Sequence, residues 1–421
     1  MFNPYENIKK ITLDNGIDIY VCYWPVNFTH IIAGIHAGHC ENPIGKEGVA
    51  HLAEHVAAAV SQLKTKSDLA NLLGANYSLG STDPASTYIT TTIPNQTLRG
   101  VKTTNYLSRA LNYVDDYFFN IQQKNVEEIF QQEKTAVINE CFHRDKSPDL
   151  AKRFKKIYHE PWGELNYMRR EYPETIQLIN QADVMKFIEE HYTTKNMSIA
   201  IIGGIDFETV VNIVLASTLN VRHQTGSKKK IFSKEKIKLG RPAVFQSRIN
   251  AIDFGSIDFG QAQISMQILT TQHSSAVVKI ARSVLYKHLM KELREKRHMT
   301  YGITMNVECS QNIVDFNLST RLPKEHLDNI ESLIEEQILE CAKSMNEIVK
   351  TKKLILAEWR IHDHSFFNFA KNLGKEISRH GKPIPSEKTY NSFKFADPEK
   401  VAQFLNFFAE KQNRFTVFVH P

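Results

Sequence analysis

His51, Glu54 and His55 fall within five consecutive residues of GVAHLAEHVAAAV (48–60), a stretch otherwise made of alanine, valine, leucine and a leading glycine. On a helix, positions i, i+3 and i+4 share a face, so both imidazoles and the carboxylate point to one side. Two imidazoles one turn apart can chelate a Zn²⁺ ion while the carboxylate between them reaches a water on it. HxxEH reverses the HExxH order, and both orders occur as catalytic zinc motifs. Such a site needs one more protein ligand and one open position. The plainer alternative is a hydrogen-bonded polar island in a core, and a third ligand on another helix decides between the two.

QQEKTAVINECFHRD (131–145) offers that ligand. Glu133 and Glu140 lie seven residues, two helical turns, apart, with Val137 between them on the same stripe. Glutamates normally occupy the wet face of a helix, so a pair aligned with a valine is consistent either with a stripe that faces a site or with surface charge.

The elements that must position these residues are legible from local pattern. KITLDNGIDIYVCY alternates apolar and polar residues on both sides of Asp14-Asn15-Gly16, which predicts an opening β-hairpin. THIIAGIHAGHC reads as a strand that runs through a loop closed by Gly45 and Gly48 into the histidine helix. Further helices are predicted over KSDLANLLG, VKTTNYLSRALNYVDDYFF, NVEEIFQQEKTAVINECFHRD and DVMKFIEEHY, and strands over STYITTTIP and NMSIAIIGG. A polar, basic segment, 221–245, reads as a linker between a first domain, 1–220, and a second, 246–421. The second half repeats the order coarsely: strand AQISMQILT, a long helix over SSAVVKIARSVLYKHLMKELREKR, strands YGITMNVEC and IVDFNLSTR, then helices and a final strand RFTVFVHP. The fold class predicted is α+β, with two similar domains of mixed sheet and helices, a duplicated unit without a residue-level repeat.

The composition limits the function classes. At 421 residues, 42% hydrophobic and 23% charged, the chain is an ordinary globular protein of more than one domain. Five scattered cysteines without a CxxC pair read as reduced thiols. The net charge of +6 is mild, and its local runs lack interleaved aromatics, which argues against a nucleic-acid partner. Neither a membrane-spanning run nor a secretory or transit segment is evident, so the expectation is a cytoplasmic protein without a membrane partner.

With these residues assembled, the chain resembles the insulinase/pitrilysin (M16) family of zinc metallopeptidases, in particular its single half-shell bacterial members related to mitochondrial processing peptidase. ITLDNGIDIYV and GKEGVAHLAEHV resemble the family's opening hairpin and active-site helix, EKTAVINE its downstream ExxxVxxE segment, and NMSIAIIGGID the strand closing its first domain. LREKRHMTYGI resembles the second family signature, an arginine and a tyrosine seven residues apart, here Arg294 and Tyr301.

The resemblance implies one Zn²⁺ per chain held by His51, His55 and Glu140, with Glu54 as general base and Glu133 orienting the site. It implies that Arg294 and Tyr301 bind the peptide and stabilise the oxyanion, and that Asn76 in GANYSLGSTD contacts substrate along a sheet edge. The separation of 85 residues between His55 and Glu140 is longer than the family usually shows. The implied activity is endopeptidase hydrolysis of peptides or unfolded segments inside a chamber, with water activated by Glu54 as the nucleophile. One half-shell needs a second, so the resemblance implies a homodimer with sites completed in trans, or a heterodimer. The alternatives are a silent partner subunit that keeps the fold without catalysis, or a component dedicated to one precursor peptide such as a bacteriocin.

Overall fold

The computed structural model describes residues 4–61, 76–77, 80–95, 103–121, 126–145, 153, 155–163, 171–223, 225–226, 239–254, 260–310, 312–362, 365–384 and 386–421. The helix predicted over KSDLANLLG lies outside them. The chain divides into two compact units, each with its own sheet. Unit 1 comprises Met1–Cys141, Arg169–Ser233 and His362–Ser386; unit 2 comprises Phe142–Met168, Lys234–Ile361 and Glu387–Pro421.

The strands of unit 1 are β1 (Ile8–Thr12), β2 (Asp18–Tyr23), β3 (Phe28–Ile35), β4 (Asn76–Tyr77), β5 (Ser81–Thr82), β6 (Thr87–Pro94) and β7 (Met197–Gly203), in the order β1-β2-β7-β3-β6-β4, with β5 also on β6. The β1–β2 hairpin turns at Gly16, whose φ of +96° is a conformation that glycine adopts without strain. Its helices are α1 (Val49–Val60), α2 (Thr103–Phe119), α3 (Glu127–Asp145), α4 (Gln181–His191) and α5 (Phe207–Leu215). On β3 the alternation of side chains sends Ile31, Ala33 and Ile35 into one core with the apolar residues of these helices, and Ile32 to the opposite face.

The strands of unit 2 are β8 (Gln246–Asn250), β9 (Ala262–Thr270), β10 (Ile303–Ser310), β11 (Ile313–Leu322) and β12 (Phe415–His420), in the order β8-β12-β9-β11-β10. Helices α6 (Ser275–Leu289), α7 (Leu327–Lys343), α8 (Met345–His362) and α10 (Pro398–Ala409) contribute to a core on one face of this sheet, where Ile264, Met266, Ile268, Val314, Phe316 and Leu318 point. Between α8 and α10, the helix α9 (Phe366–His380) belongs to unit 1 instead.

The duplication inferred from element order is present in the topology. Apart from β1 and β5, the two sheets share one plan: β2-β7-β3-β6-β4 corresponds to β8-β12-β9-β11-β10 in chain order, and the parallel pairs β2/β7 and β8/β12 fall in the same place.

The units do not follow a single cut at the basic segment, because α9 supplies the second cover of the first sheet. Its Phe366, Phe369, Ala370, Leu373 and Ile377 pack with Tyr20, Cys22, Ile32, Tyr88 and Ile202. The approach is close: a Cβ on Gly374 would lie 1.8 Å from Ile32 Cδ1. Periodicity marks the apolar stripe of α9 but not the sheet, formed by strands between Ile8 and Gly203, that receives it. No helix among the described residues is long and apolar enough to cross a membrane. All five cysteines are free thiols.

On the other face of the second sheet, Asp315 of β11 is buried and accepts a hydrogen bond from Gln267 Nε2 at 3.0 Å. Burial pushes its carboxyl up to about 7. The folded state therefore holds a proton that the unfolded chain, titrating at about 3.9, releases earlier. The stabilisation is complete below the unfolded value and lost as pH rises through about 7. Replacing Asp315→Asn should shrink the difference in melting temperature between pH 5 and pH 8 by roughly 3–5 °C; an unchanged difference in thermal melts would refute the assignment.

Candidate metal centre

Helix α1 is set by its first residues. Gly48 caps it in the left-handed region, φ +109°, and a Cβ there would lie 2.1 Å from Ile176 Cδ1 and 2.8 Å from Glu171 Cβ. The side chain of Asn42 accepts from Ala50 N–H at 2.8 Å, satisfying one of the donors a helix start leaves open. Alanines and valines then let α1 pack into the core of unit 1, and the polar residues His51 and Glu54 are buried with them, 8% and 5% exposed.

The two imidazoles lie edge to face, 4.9 Å apart. Nε2 of His55 is 3.2 Å, and Nε2 of His51 3.5 Å, from the same oxygen of Glu140 on α3. The long separation in sequence is taken up in part by α2, a helix of 17 residues between β6 and α3, and Glu140 still reaches both rings. Glu133, two turns earlier on α3, lies 3.0 Å from His55 Nδ1. Glu54 approaches His51 Nε2 at 3.9 Å.

Sequence reasoning missed three residues here. Glu171, 2% exposed, stands 3.5 Å from His51 Nδ1 and 3.7 Å from His39 Nδ1. Tyr117 of α2 is fully buried and donates to the Glu54 carbonyl at 3.1 Å. Gly80 leaves room for the Glu54 side chain, since a Cβ would come within 2.3 Å of both Glu54 Oε1 and Tyr117 Oη. No spacing or periodicity marks them; they meet the motif through tertiary contact alone.

Electrostatics follow from this crowding. Burial pulls the His51 imidazole down, but Glu171, Glu54 and Glu140 together hold it above its ordinary value. His39, with burial dominant over the attraction of Glu171, is held below its own. Burial and the Glu54 carboxylate push the Tyr117 hydroxyl well above its normal range, so it stays a donor.

The donor set fits a divalent metal. A carboxylate accepts only and a neutral imidazole has one N–H, so His55, facing Glu133 at Nδ1 and Glu140 at Nε2, turns one lone pair toward an acceptor; with the proton on Nδ1 that lone pair is the one on Nε2, facing Glu140. Facing acceptors of this kind are reconciled by a shared cation, or by a proton when the ring is charged. His51, His55 and Glu140 each offer one ligand atom, all within 4.8 Å of one another. The separations of 3.2 and 3.5 Å match the edge of about 3.3 Å that zinc bond lengths give a tetrahedron. Glu133 and Glu171 stand behind the rings at Nδ1, where outer carboxylates fix the tautomer of metal-ligating histidines.

Arg294 and Tyr301 come together in unit 2. Helix α6 widens into a π-helical stretch, Met290–Lys296, that carries Arg294, and the chain reverses at His298, φ +51°. Gly302 N–H donates to Thr300 Oγ1 at 3.2 Å and Thr320 Oγ1 donates to the Gly302 carbonyl at 2.9 Å, pinning the loop to β11. Tyr301 projects from it, 89% exposed, with the Arg294 guanidinium 5.1 Å from its ring centre. Asn76 lies in β4, opposite Thr92 of β6 at the edge of the first sheet; its side chain is outside the described residues.

Residues 179–353 match the family model described as Peptidase M16 inactive domain. The matched stretch contains Arg294 and Tyr301 and begins after every residue of the His51 cluster. An uncharacterized zinc protease of Rickettsia bellii is 22% identical over 91% of this chain and 90% of its own. Among solved structures, a protease from Helicobacter pylori is similar over the full length of both chains, with a TM-score of 0.79 at 15% identity. The periplasmic protease PqqL from Escherichia coli is similar over 99% of this chain but 46% of its own, with a TM-score of 0.71 at 14% identity. The structural likenesses show the fold.

The carboxylates behind the rings yield a test. Glu133→Gln and Glu171→Gln should each weaken binding of a divalent metal by roughly 10- to 100-fold, as measured by competition with a chromogenic chelator. Affinity equal to that of the unsubstituted protein would show that neither carboxylate orients a ligand.

Proposed function

We propose that this chain, an M16-family protein with the fold of a peptidase half-shell, is a zinc-dependent endopeptidase acting on peptides or unfolded segments. The observation that carries the reading is the convergence of His51 Nε2 and His55 Nε2 on one Glu140 oxygen, with Glu54 alongside. The Rickettsia bellii relative, named as a zinc protease, supports the choice of metal.

His51, His55 and Glu140 would hold the ion. A zinc ion there supplies Lewis acidity toward water and the scissile carbonyl. Glu54 takes the proton of the attacking water and returns it to the leaving amine, which general acid–base chemistry requires of one group in sequence. Its carboxylate is confined against Gly80 and its backbone carbonyl is tied to Tyr117, which restricts the directions from which it can serve as base. Tyr301 donates to the oxygen that becomes negative in the transition state, and Arg294 keeps the phenol oriented and binds the peptide. The edge at β4, with Asn76, binds the substrate backbone by strand addition.

A half-shell calls for a second one. The reading supplies it with an identical chain related by a two-fold axis, so that the zinc cluster of one chain works with Arg294 and Tyr301 of the other. The other reading, a silent partner subunit or a component dedicated to one precursor, is favoured by the description of the matched model as an inactive domain. That match does not extend to the residues on which metal binding depends.

The Glu54→Gln protein should retain zinc, measured by elemental analysis, and lose peptide cleavage by roughly 10²–10⁴-fold. Full cleavage by this variant would sink the role of Glu54; absence of zinc from the unsubstituted protein would favour the silent reading. Mixing Glu54→Gln with Arg294→Ala chains under exchange conditions should restore cleavage, because each mixed dimer holds one intact site. Failure to recover despite subunit exchange followed by native mass spectrometry would refute completion in trans.

A further inference from the structure

The two faces of the second sheet differ in chemistry. One is the apolar core; the other carries Gln263, Ser265 and Gln267 from β9, Asp315, Asn317, Ser319 and Arg321 from β11, and Thr304, Asn306 and Glu308 from β10, as the two-residue period of a strand dictates, with Glu308 opposite Asp315 and neither of them lining the groove beside Arg153. A solvated sheet face is ordinarily polar. This one is not simply solvated, for Gln263, Ser265 and Gln267 are each 5% exposed or less. Part of it lies beneath Ile157, Tyr158 and Trp162, which pack with Phe254, Phe415 and Val417. The remainder forms a groove of about 720 Å³ between Arg153 and the Thr300–Gly302 loop.

The charge of this groove is one-sided. Arg153 and Arg321 both line it, and among the described residues that line it there is no aspartate or glutamate. Its walls are neutral donors and acceptors: Gln263, Thr304, Asn306, Asn317 and Ser319. Arg153 is fixed by the Phe254 ring, with its guanidinium 5.0 Å from the ring centre. Burial and repulsion from Arg321, against the attraction of Tyr158, hold Arg153 below its usual value, although a guanidinium remains charged. Two planar cations at one groove suit an anion that both can fork, and amide and hydroxyl walls suit the peptide groups next to it.

We propose that this groove is a carboxylate subsite, in which Arg153 and Arg321 take a free carboxylate of a peptide, at its C-terminus or on an acidic side chain, while Asn306 and Asn317 bind the neighbouring amides. The ligand class rests on the peptidase reading; the groove itself lies wholly in unit 2. The proposal adds a selectivity that strand addition and the zinc cluster do not provide.

The test measures binding, so that it does not depend on cleavage. Fluorescein-labelled peptides of one sequence are titrated with the full-length Glu54→Gln protein and followed by anisotropy. One peptide carries a C-terminal acid, one a C-terminal amide with a penultimate Glu, and one the amide with Gln. At least one acidic peptide should bind about tenfold tighter than the neutral one, and whichever does identifies the source of the carboxylate. Adding Arg321→Gln should remove that difference and leave affinity for the neutral peptide in place, which also shows the variant folded. Equal binding of all three peptides, a preference that survives Arg321→Gln, or loss of the neutral peptide too would overturn the subsite. Inorganic tripolyphosphate binding more tightly than any peptide, and lost with Arg321→Gln, would overturn the carboxylate assignment. Zinc-dependent cleavage with uniform binding would sink the subsite and spare the peptidase reading. Selective binding without cleavage would do the reverse.

Discussion

Glu54, Glu133, Glu140 and Glu171 converge on two imidazoles around the buried start of one helix, and much of unit 1 is arranged to make that concentration of negative charge tolerable. Of the four, Glu54 and Glu171 are buried, and a buried carboxylate forfeits its hydration, so it persists as an ion only where positive charge or hydrogen-bond donors answer it; Glu133 and Glu140 stand on the more open side of the cluster. His51 gives part of the answer, held toward its charged form by the carboxylates around it. A divalent ion among His51, His55 and Glu140 would answer more of it. Mechanical confinement completes the arrangement: a cap with no side chain at Gly48, close packing of α1, and a glycine wall at Gly80 leave the polar groups few other positions. Carboxylates and imidazole nitrogens crowded in this way are an arrangement that a shared cation relieves.

The topology explains why the two chemical groups sit where they do. Helix α1 connects β3 to the edge strand β4, and α6 connects β9 to the edge strand β10, so both occupy one slot of the shared plan. In unit 1 that slot carries its polar chemistry in the first turns of the helix. In unit 2 the corresponding helix buries Ala276, Val277, Ile280, Ala281, Val284 and Leu285, and the polar residues come after it, where the π-helical stretch carries Arg294 and the pinned loop carries Tyr301. A π-helical widening is a common device for re-aiming a side chain at a functional position. The same slot thus carries its polar residues at the beginning of the helix in unit 1 and after its end in unit 2.

How much of this was legible in the sequence depended on the distance over which each residue finds its partner. The hairpin around Gly16, the strands β3, β6, β7, β9 and β12 and the helix α1 follow from patterns of period two or 3.6 within about ten residues, and each was readable. So was the shared face of His51, Glu54 and His55, because helical geometry alone imposes it. Glu133 and Glu140 could be aligned with each other by the same rule, but their meeting with His55 depends on how α3 packs, and only the family resemblance pointed to it. Glu171, Tyr117 and Gly80 belong to the cluster through contacts between elements far apart in sequence, and no local rule marks them. The exchange of α9 into unit 1 is a further case: its stripe is plain, while its destination on Ile32 is set by the shape of a sheet formed hundreds of residues earlier.

The two units also show how a duplicated fold can divide its burdens. Each sheet must cover two faces, and covering the first unit's outer face takes a helix from far along the chain, apolar along one stripe and fitted at Gly374 without room for a methyl group. Among the described residues, the second sheet receives no such helix. Its outer face is covered in part by residues 155–163, and the groove beside them is lined by amides, hydroxyls and two guanidiniums. Leaving a sheet face polar has an energetic consequence, visible in Asp315, whose carboxyl burial drives toward the neutral form. A face meant only to meet water would have no reason to bury an aspartate beneath aromatic residues and to hold Arg153 over a phenyl ring beside a second arginine. Those features make sense for a surface shaped to exchange water for a polar ligand, because preorganised donors in a partly dry groove interact more strongly than the same groups in bulk solvent.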